Sequence, residues 1–116
     1  MLVKIVKSKI SIEELKQIAK ANGYSEMVKA AVDVERGVMA LGGGLHADCS
    51  EILFEDGSKG ENVWGINIYF NKDRVKGDWI EYNSLTNVKP LTNRSLEIED
   101  NAVKEKIKKI VNQLVI

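Results

Sequence analysis

Residues 42–49 read Gly-Gly-Gly-Leu-His-Ala-Asp-Cys, and no other stretch of the chain gathers so many groups able to do chemistry. It holds the only histidine, His46, and the only cysteine, Cys49, with Asp48 between them. An imidazole titrates near neutral pH, and a carboxylate beside it fixes its tautomer, so His46 with Asp33 or Asp48 is the candidate acid/base pair. Gly43 and Gly44 would let a ligand approach the backbone closely. Asn67, Glu81, Asn93 and Arg94 are the polar side chains on other segments that could complete a ligand-binding site, Arg94 by offering its planar fork to an anion. The bland alternative is that Asp48 caps a helix, His46 hydrogen-bonds across the turn, and the glycines only let the chain leave a sheet sharply.

Two stronger motifs are ruled against. Gly42-x-Gly44-x-x-Ala47 matches the loose dinucleotide pattern, but the strand before it lies in a hairpin rather than a parallel crossover, and Asp48 would compete with a phosphate. One histidine and one cysteine do not make a structural zinc site. A divalent metal on Asp33, Glu35, Asp48, Glu51 or Glu81 is the carboxylate alternative.

These residues must be held by elements that periodicity reveals. Val3–Val6 reads as a short edge strand. Ser11-Ile12-Glu13-Glu14 is a capping box opening a helix whose apolar positions are Ile12, Leu15, Ile18 and Ala19, with Gly23 as its stop. Val28, Ala30, Val32 and Val34 alternate with Lys29, Ala31, Asp33 and Glu35. A turn at Arg36-Gly37 would set Val34 against Met39 and Val32 against Leu41. Asp48-Cys49-Ser50-Glu51 is a second capping box, and Cys49, Ile52 and Leu53 share a helical face ending at Gly57. Trp64, Ile66, Ile68 and Phe70 mark the clearest strand, with Asn67 on its other face, where it would need partners if that face were covered. A further strand is expected over 79–83, with Trp79 sharing the face of Glu81 and Asn83 at the rim of the core. Residues 84–97 are irregular. A last helix from about Asp100 carries the stripe Val103, Ile107, Ile110, Val111 and Leu114.

The fold class expected is α+β: a mainly antiparallel sheet of four to five strands, with an N-terminal, a short middle and a C-terminal helix packed on one face. The whole chain, 1–116, makes a single domain. Equal numbers of basic and acidic residues, 17 each, lack the positive surplus of a nucleic-acid binder, so nucleic acid is an unlikely partner. No apolar stretch is long enough to span a bilayer, and a single cysteine fits a reducing compartment, giving an expected cytoplasmic location.

The runs Ala30–Asp48, Glu55–Tyr69 and Asn93-Arg94-Ser95 resemble a small uncharacterised prokaryotic family catalogued as a domain of unknown function. The resemblance implies one compact cytoplasmic domain and brings no activity, no particular cofactor and no catalytic residue. Where arginine would be expected before proline, this chain has Lys89, which cannot give a rigid bidentate contact. The functional expectation is a small binding or regulatory module that self-associates as a homo-oligomer, taking a small-molecule or protein partner. The alternative is a small hydrolase using His46 with Asp and Glu residues, with a divalent metal as an option.

Overall fold

The computed structural model describes residues 3–116. Strand β1 (Val3–Val6) is followed by helix α1 (Ile12–Ala21), strands β2 (Met27–Asp33) and β3 (Val38–Gly42), helix α2 (His46–Glu55), strands β4 (Val63–Tyr69) and β5 (Ile80–Glu81), and helix α3 (Asn101–Leu114). The five strands form one antiparallel sheet in the order β1-β3-β2-β4-β5. This is the expected α+β fold.

The helix ends follow from local chemistry. Ser11 Oγ accepts the Glu14 N–H at 3.1 Å. The Glu14 carboxylate pairs with Lys4 on β1 and so contributes a tertiary contact where the sequence suggested the return half of a capping box. At the other end, Gly23 (φ 88°) supplies the left-handed residue, Gly23 N–H reaches Lys20 O at 3.0 Å and Tyr24 N–H reaches Ala19 O at 2.9 Å, the two bonds of a Schellman motif. Asp100 Oδ1 caps α3 by accepting from Ala102 N–H at 2.8 Å, and Ile107, Ile110, Val111 and Leu114 are buried as their spacing predicts.

Four expectations are corrected. The hairpin register is Val32↔Met39 and Ala30↔Leu41, two residues away from the one predicted. Asp33 Oδ1 accepts from Glu35 N–H at 2.9 Å and Arg36 N–H at 3.0 Å, and Gly37 N–H closes onto Asp33 O at 2.9 Å. This turn takes up 34–37, and a slip of two keeps every side chain on its predicted face. Helix α2 starts at His46, with Leu45 as its N-cap. Asp48 lies in its first turn, where its carboxylate accepts the Leu45 N–H at 3.0 Å.

The third correction concerns layers. Helices α1 and α3 cover the face formed by Val28, Ala30, Val32, Met39, Leu41, Trp64, Ile66 and Ile68. Helix α2 lies on the other face, with Cys49 and Leu53 against Ala31, Val38, Ala40 and Val63. The sheet is therefore sandwiched. Alanines at 31 and 40 let the α2 backbone come close, and a face that alternation paints as polar is in fact mostly buried. Fourth, only Ile80 and Glu81 of the expected strand 79–83 pair with β4. Trp79 is buried in the main core, its ring stacked under the Arg74 guanidinium at 4.6 Å.

Candidate functional site

The glycine run ends β3 with two left-handed residues, Gly42 (φ 108°) and Gly43 (φ 71°). A side chain at Gly43 would stand 2.9 Å from Asp48 Cβ, so only glycine lets the chain fold this tightly into the first turn of α2. That turn aims the His46 ring across the sheet at β4. His46 Nε2 lies 3.0 Å from Ile66 O and 2.8 Å from Asn67 Oδ1. Asn67 Nδ2 donates in turn to Glu81 Oε1 at 2.7 Å, and Tyr69 OH donates to the same oxygen at 3.3 Å.

This chain of contacts fixes the protons. An ionised carboxylate only accepts, so the Asn67 nitrogen must face Glu81 and its oxygen must face His46. Nε2 then meets two acceptors and carries the proton, which leaves Nδ1 as the basic nitrogen with no partner among the described residues. Burial and the positive charge of Lys29 hold the His46 pKa below its usual 6.5, against the opposing pull of Asn67, Ile66 O and Glu81. The ring is neutral at pH 7. Asn67 is only 7% exposed, and both ends of its amide are satisfied, as a covered sheet face requires.

His46 lines a cavity of about 300 Å³ together with Leu45, Ala47, Ser84, Leu85 and Thr86. Ser84 Oγ and Thr86 Oγ1 are 2.7 Å apart, and Ser84 Oγ accepts the Thr86 N–H at 3.1 Å. This segment presses on β4 at Gly65, where an added Cβ would meet Ser84 Oγ at 2.6 Å and Thr86 Oγ1 at 2.7 Å.

The sequence-derived site residues are only partly brought together. His46, Asn67 and Glu81 form one connected chain. Asp48 is engaged with the Leu45 amide, and Gly44 O accepts from Tyr24 OH at 3.2 Å. Asp33 pairs with Val63, four residues along β2 from Lys29, which pairs with Asn67. That separation is about 13 Å, so Asp33 serves the hairpin turn and does not orient His46. Asn93 is buried, donating to Asn87 O, Ser95 O and Glu97 O, each at 3.0 Å, and accepting from Glu99 N–H at 2.8 Å. Arg94 beside it is exposed. The segment that meets the glycine bend is 84–86, not 93–95, and its only signal in the sequence is the Ser-x-Thr pattern of a local hydroxyl turn. Asn87, fully buried, carried no signal at all.

Cys49 is buried against Gly42 O at 3.0 Å, and burial pushes its thiol up to about 12. It is a packing residue without a reactive thiolate. Among the described residues no three His, Cys, Asp or Glu side chains stand close enough to hold a metal ion, and no helix is long and apolar enough to cross a membrane.

No curated protein and no solved structure matches the chain. A family model described as protein of unknown function DUF5674 matches residues 4–114, and with nearly its whole length inside that match the chain belongs to this family.

Proposed function

We propose that this domain is an assembly and binding module that pairs with a second copy of itself through the free edge of β1. The observation that carries this reading is the contrast between the two sheet edges. β5 is two residues long, and the chain beyond it is tied down: Ile98 N–H reaches Tyr82 O at 3.1 Å, Ser84 N–H reaches Leu96 O at 3.1 Å, and Asn83 bridges Glu97. β1 pairs only with β3 among the described strands. Its outer side opens onto a groove of about 630 Å³ lined by Val3, Ile5, Ile18 and Ile52, with Lys4 and Glu14 at its rim.

An edge whose outer backbone groups have no neighbouring strand is a template for another strand. An antiparallel pairing of β1 with its own copy is isologous by construction, so one surface serves both sides. Lys4 is the single charge on the strand and already has an acid, Glu14, beside it, so two copies bring opposite charges together across the two-fold. The five-stranded sheets of two copies then join into one of ten strands. The hydrolase alternative has an unprotonated imidazole nitrogen in its favour, yet among the described residues neither a carboxylate nor a nucleophile lies within hydrogen-bond distance of the His46 ring.

Light scattering across a concentration series tests the proposal. The expected result is a dimer that Ile5→Glu converts to a folded monomer. A Lys4→Cys chain, read against the inert Cys49, should cross-link between copies under mild oxidation. A wild-type monomer at every concentration, with no cross-link at position 4, removes the proposal.

A further inference from the structure

We propose that the cavity between the first turn of α2 and residues 84–86 is a binding site for an uncharged amide group, one that presents an N–H beside a C=O. This site is independent of the β1 edge. Three features define it. The ring of His46 is anchored through Nε2 by Ile66 O and Asn67 Oδ1, so Nδ1 offers a fixed acceptor. The hydroxyls of Ser84 and Thr86 offer a donor: they hold two protons, one lies in the bond between them, and Ser84 Oγ also takes the Thr86 N–H. One hydroxyl proton is left with no protein acceptor among the described residues. Around this acceptor and donor the walls are apolar, formed by Leu45, Ala47 and Leu85, of which Leu45 is 65% and Leu85 77% exposed.

A fixed ring acceptor beside a free hydroxyl proton, in an apolar frame, matches a neutral group that carries the reverse pair. An anion is not matched. His46 is neutral, and Asp48 already answers the N-terminal field of α2. Lys29 on β2 and Glu81 on β5, of opposite sign, are the charged groups that act on the ring from neighbouring strands, and residues 84–86 bring none. An ammonium group is not matched either, since the lining of the cavity brings no carboxylate to answer its charge in an apolar frame. Small carboxamides and the amides of peptides share the required chemistry.

The experiment uses the whole chain at pH 7.5 and follows the imidazole nitrogens by long-range ¹H–¹⁵N NMR, which a single histidine leaves unambiguous. Isobutyramide should shift the Nδ1 resonance in a saturable way. Isobutyrate and isobutylamine at the same concentrations should not. N-acetyl-leucinamide forms a second arm: tighter binding than isobutyramide assigns a peptide-type amide, and equal or weaker binding assigns a small carboxamide. The double variant Ser84→Ala/Thr86→Val should weaken isobutyramide about three- to tenfold, the loss of one hydrogen bond, while the free protein keeps its Nδ1 resonance. Leu85→Ala, at an exposed position that leaves the fold intact, should also weaken it. No saturable shift with either amide, an equal response to isobutyrate, or an Nδ1 that carries the proton at pH 7.5 would overturn the proposal.

Discussion

Asn87 is the residue whose loss should cost this domain most relative to its size. The backbone groups of Gly65, Asn67 and Tyr69 on β4 point toward β5. β5 pairs only with Asn67 and Ile68, and Tyr69 N–H reaches Trp79 O at 2.7 Å. At Gly65 the neighbouring strand has ended. The Asn87 carboxamide takes its place: Oδ1 accepts the Gly65 N–H at 2.7 Å, and Nδ2 donates to Gly65 O at 3.0 Å. One side-chain amide thus pairs a backbone position as a strand residue would, and Nδ2 also reaches Leu96 O at 3.2 Å and Tyr82 O at 3.3 Å. Asn87→Ala removes about three hydrogen bonds' worth of donor and acceptor, at about 1 kcal/mol each, and leaves a buried N–H without a partner, so a loss of about 3–4 kcal/mol is expected. A domain of this size has about 6–17 kcal/mol in total. Urea unfolding followed by circular dichroism should show the midpoint fall with an unchanged slope, and Tm should drop by about 10 °C or more. Gly65→Ala attacks the same contact from the other side, since its Cβ would stand 2.6 Å from Ser84 Oγ. The two changes should therefore be non-additive by more than about 1 kcal/mol. If Asn87→Ala costs under about 1 kcal/mol, or the two losses simply add, Asn87 does not replace a strand.

Two further outcomes follow from the same geometry. Because the folded His46 pKa lies below 6.5, the unfolded chain takes up the proton first on acidification. This contribution is complete above pH 6.5, declines as pH falls through 6.5 toward the folded value, and levels off below it. Urea titrations at pH 7.5 and 5 should show wild type losing more stability than His46→Gln, and an equal or smaller loss in wild type would refute the assignment. Gly23→Ala and Gly43→Ala both place a side chain at positive φ, but only Gly43 also meets a neighbour, Asp48 Cβ at 2.9 Å. Thermal melts should show about 1 kcal/mol lost at Gly23 and about 3 kcal/mol at Gly43, and equal losses would mean that α2 yields without strain.

Periodicity and caps carried the local structure far. The α1 cap at Ser11, its stop at Gly23, the apolar stripe of α3 and the alternation through Trp64, Ile66 and Ile68 were all legible, because each depends on residues within a few positions of one another. Failures came where a distant contact decides. Alternation through Lys29, Ala31 and Asp33 looks half-polar, and nothing nearby says that α2 returns to cover it. Asp48 followed by Glu51 mimics a cap, yet the chain begins its helix three residues earlier because the Gly42–Gly43 bend has already delivered Leu45 to the cap position. Trp79 broke its alternation because the loop before it turns on Asp73, whose Oδ1 accepts from Val75 and Lys76. His46, Asn67 and Glu81 could each be picked out by type. Their connection could not, since it depends on β4 pairing with β5 at Asn67↔Glu81.

The covering of that second face is also what gives the polar chain its order. Had the sheet been open on the α2 side, Asn67 would turn to water and impose nothing on its neighbours. Beneath α2 it is nearly sealed off, and a buried amide left half-paired would cost about 1–3 kcal/mol. Glu81 accepts and therefore takes the amide nitrogen; the oxygen then demands a donor, and His46 Nε2, 2.8 Å away, supplies it. The tautomer of the only imidazole in the chain is thus set by packing: the small side chains at Ala31 and Ala40 admit the helix, the helix buries the amide, and the amide, by holding Nε2, leaves Nδ1 as the basic nitrogen of a ring that lines the cavity with Ser84 and Thr86. A substitution that forces α2 outward, such as Ala40→Leu, should release the imidazole's fixed tautomer before it unfolds the sheet.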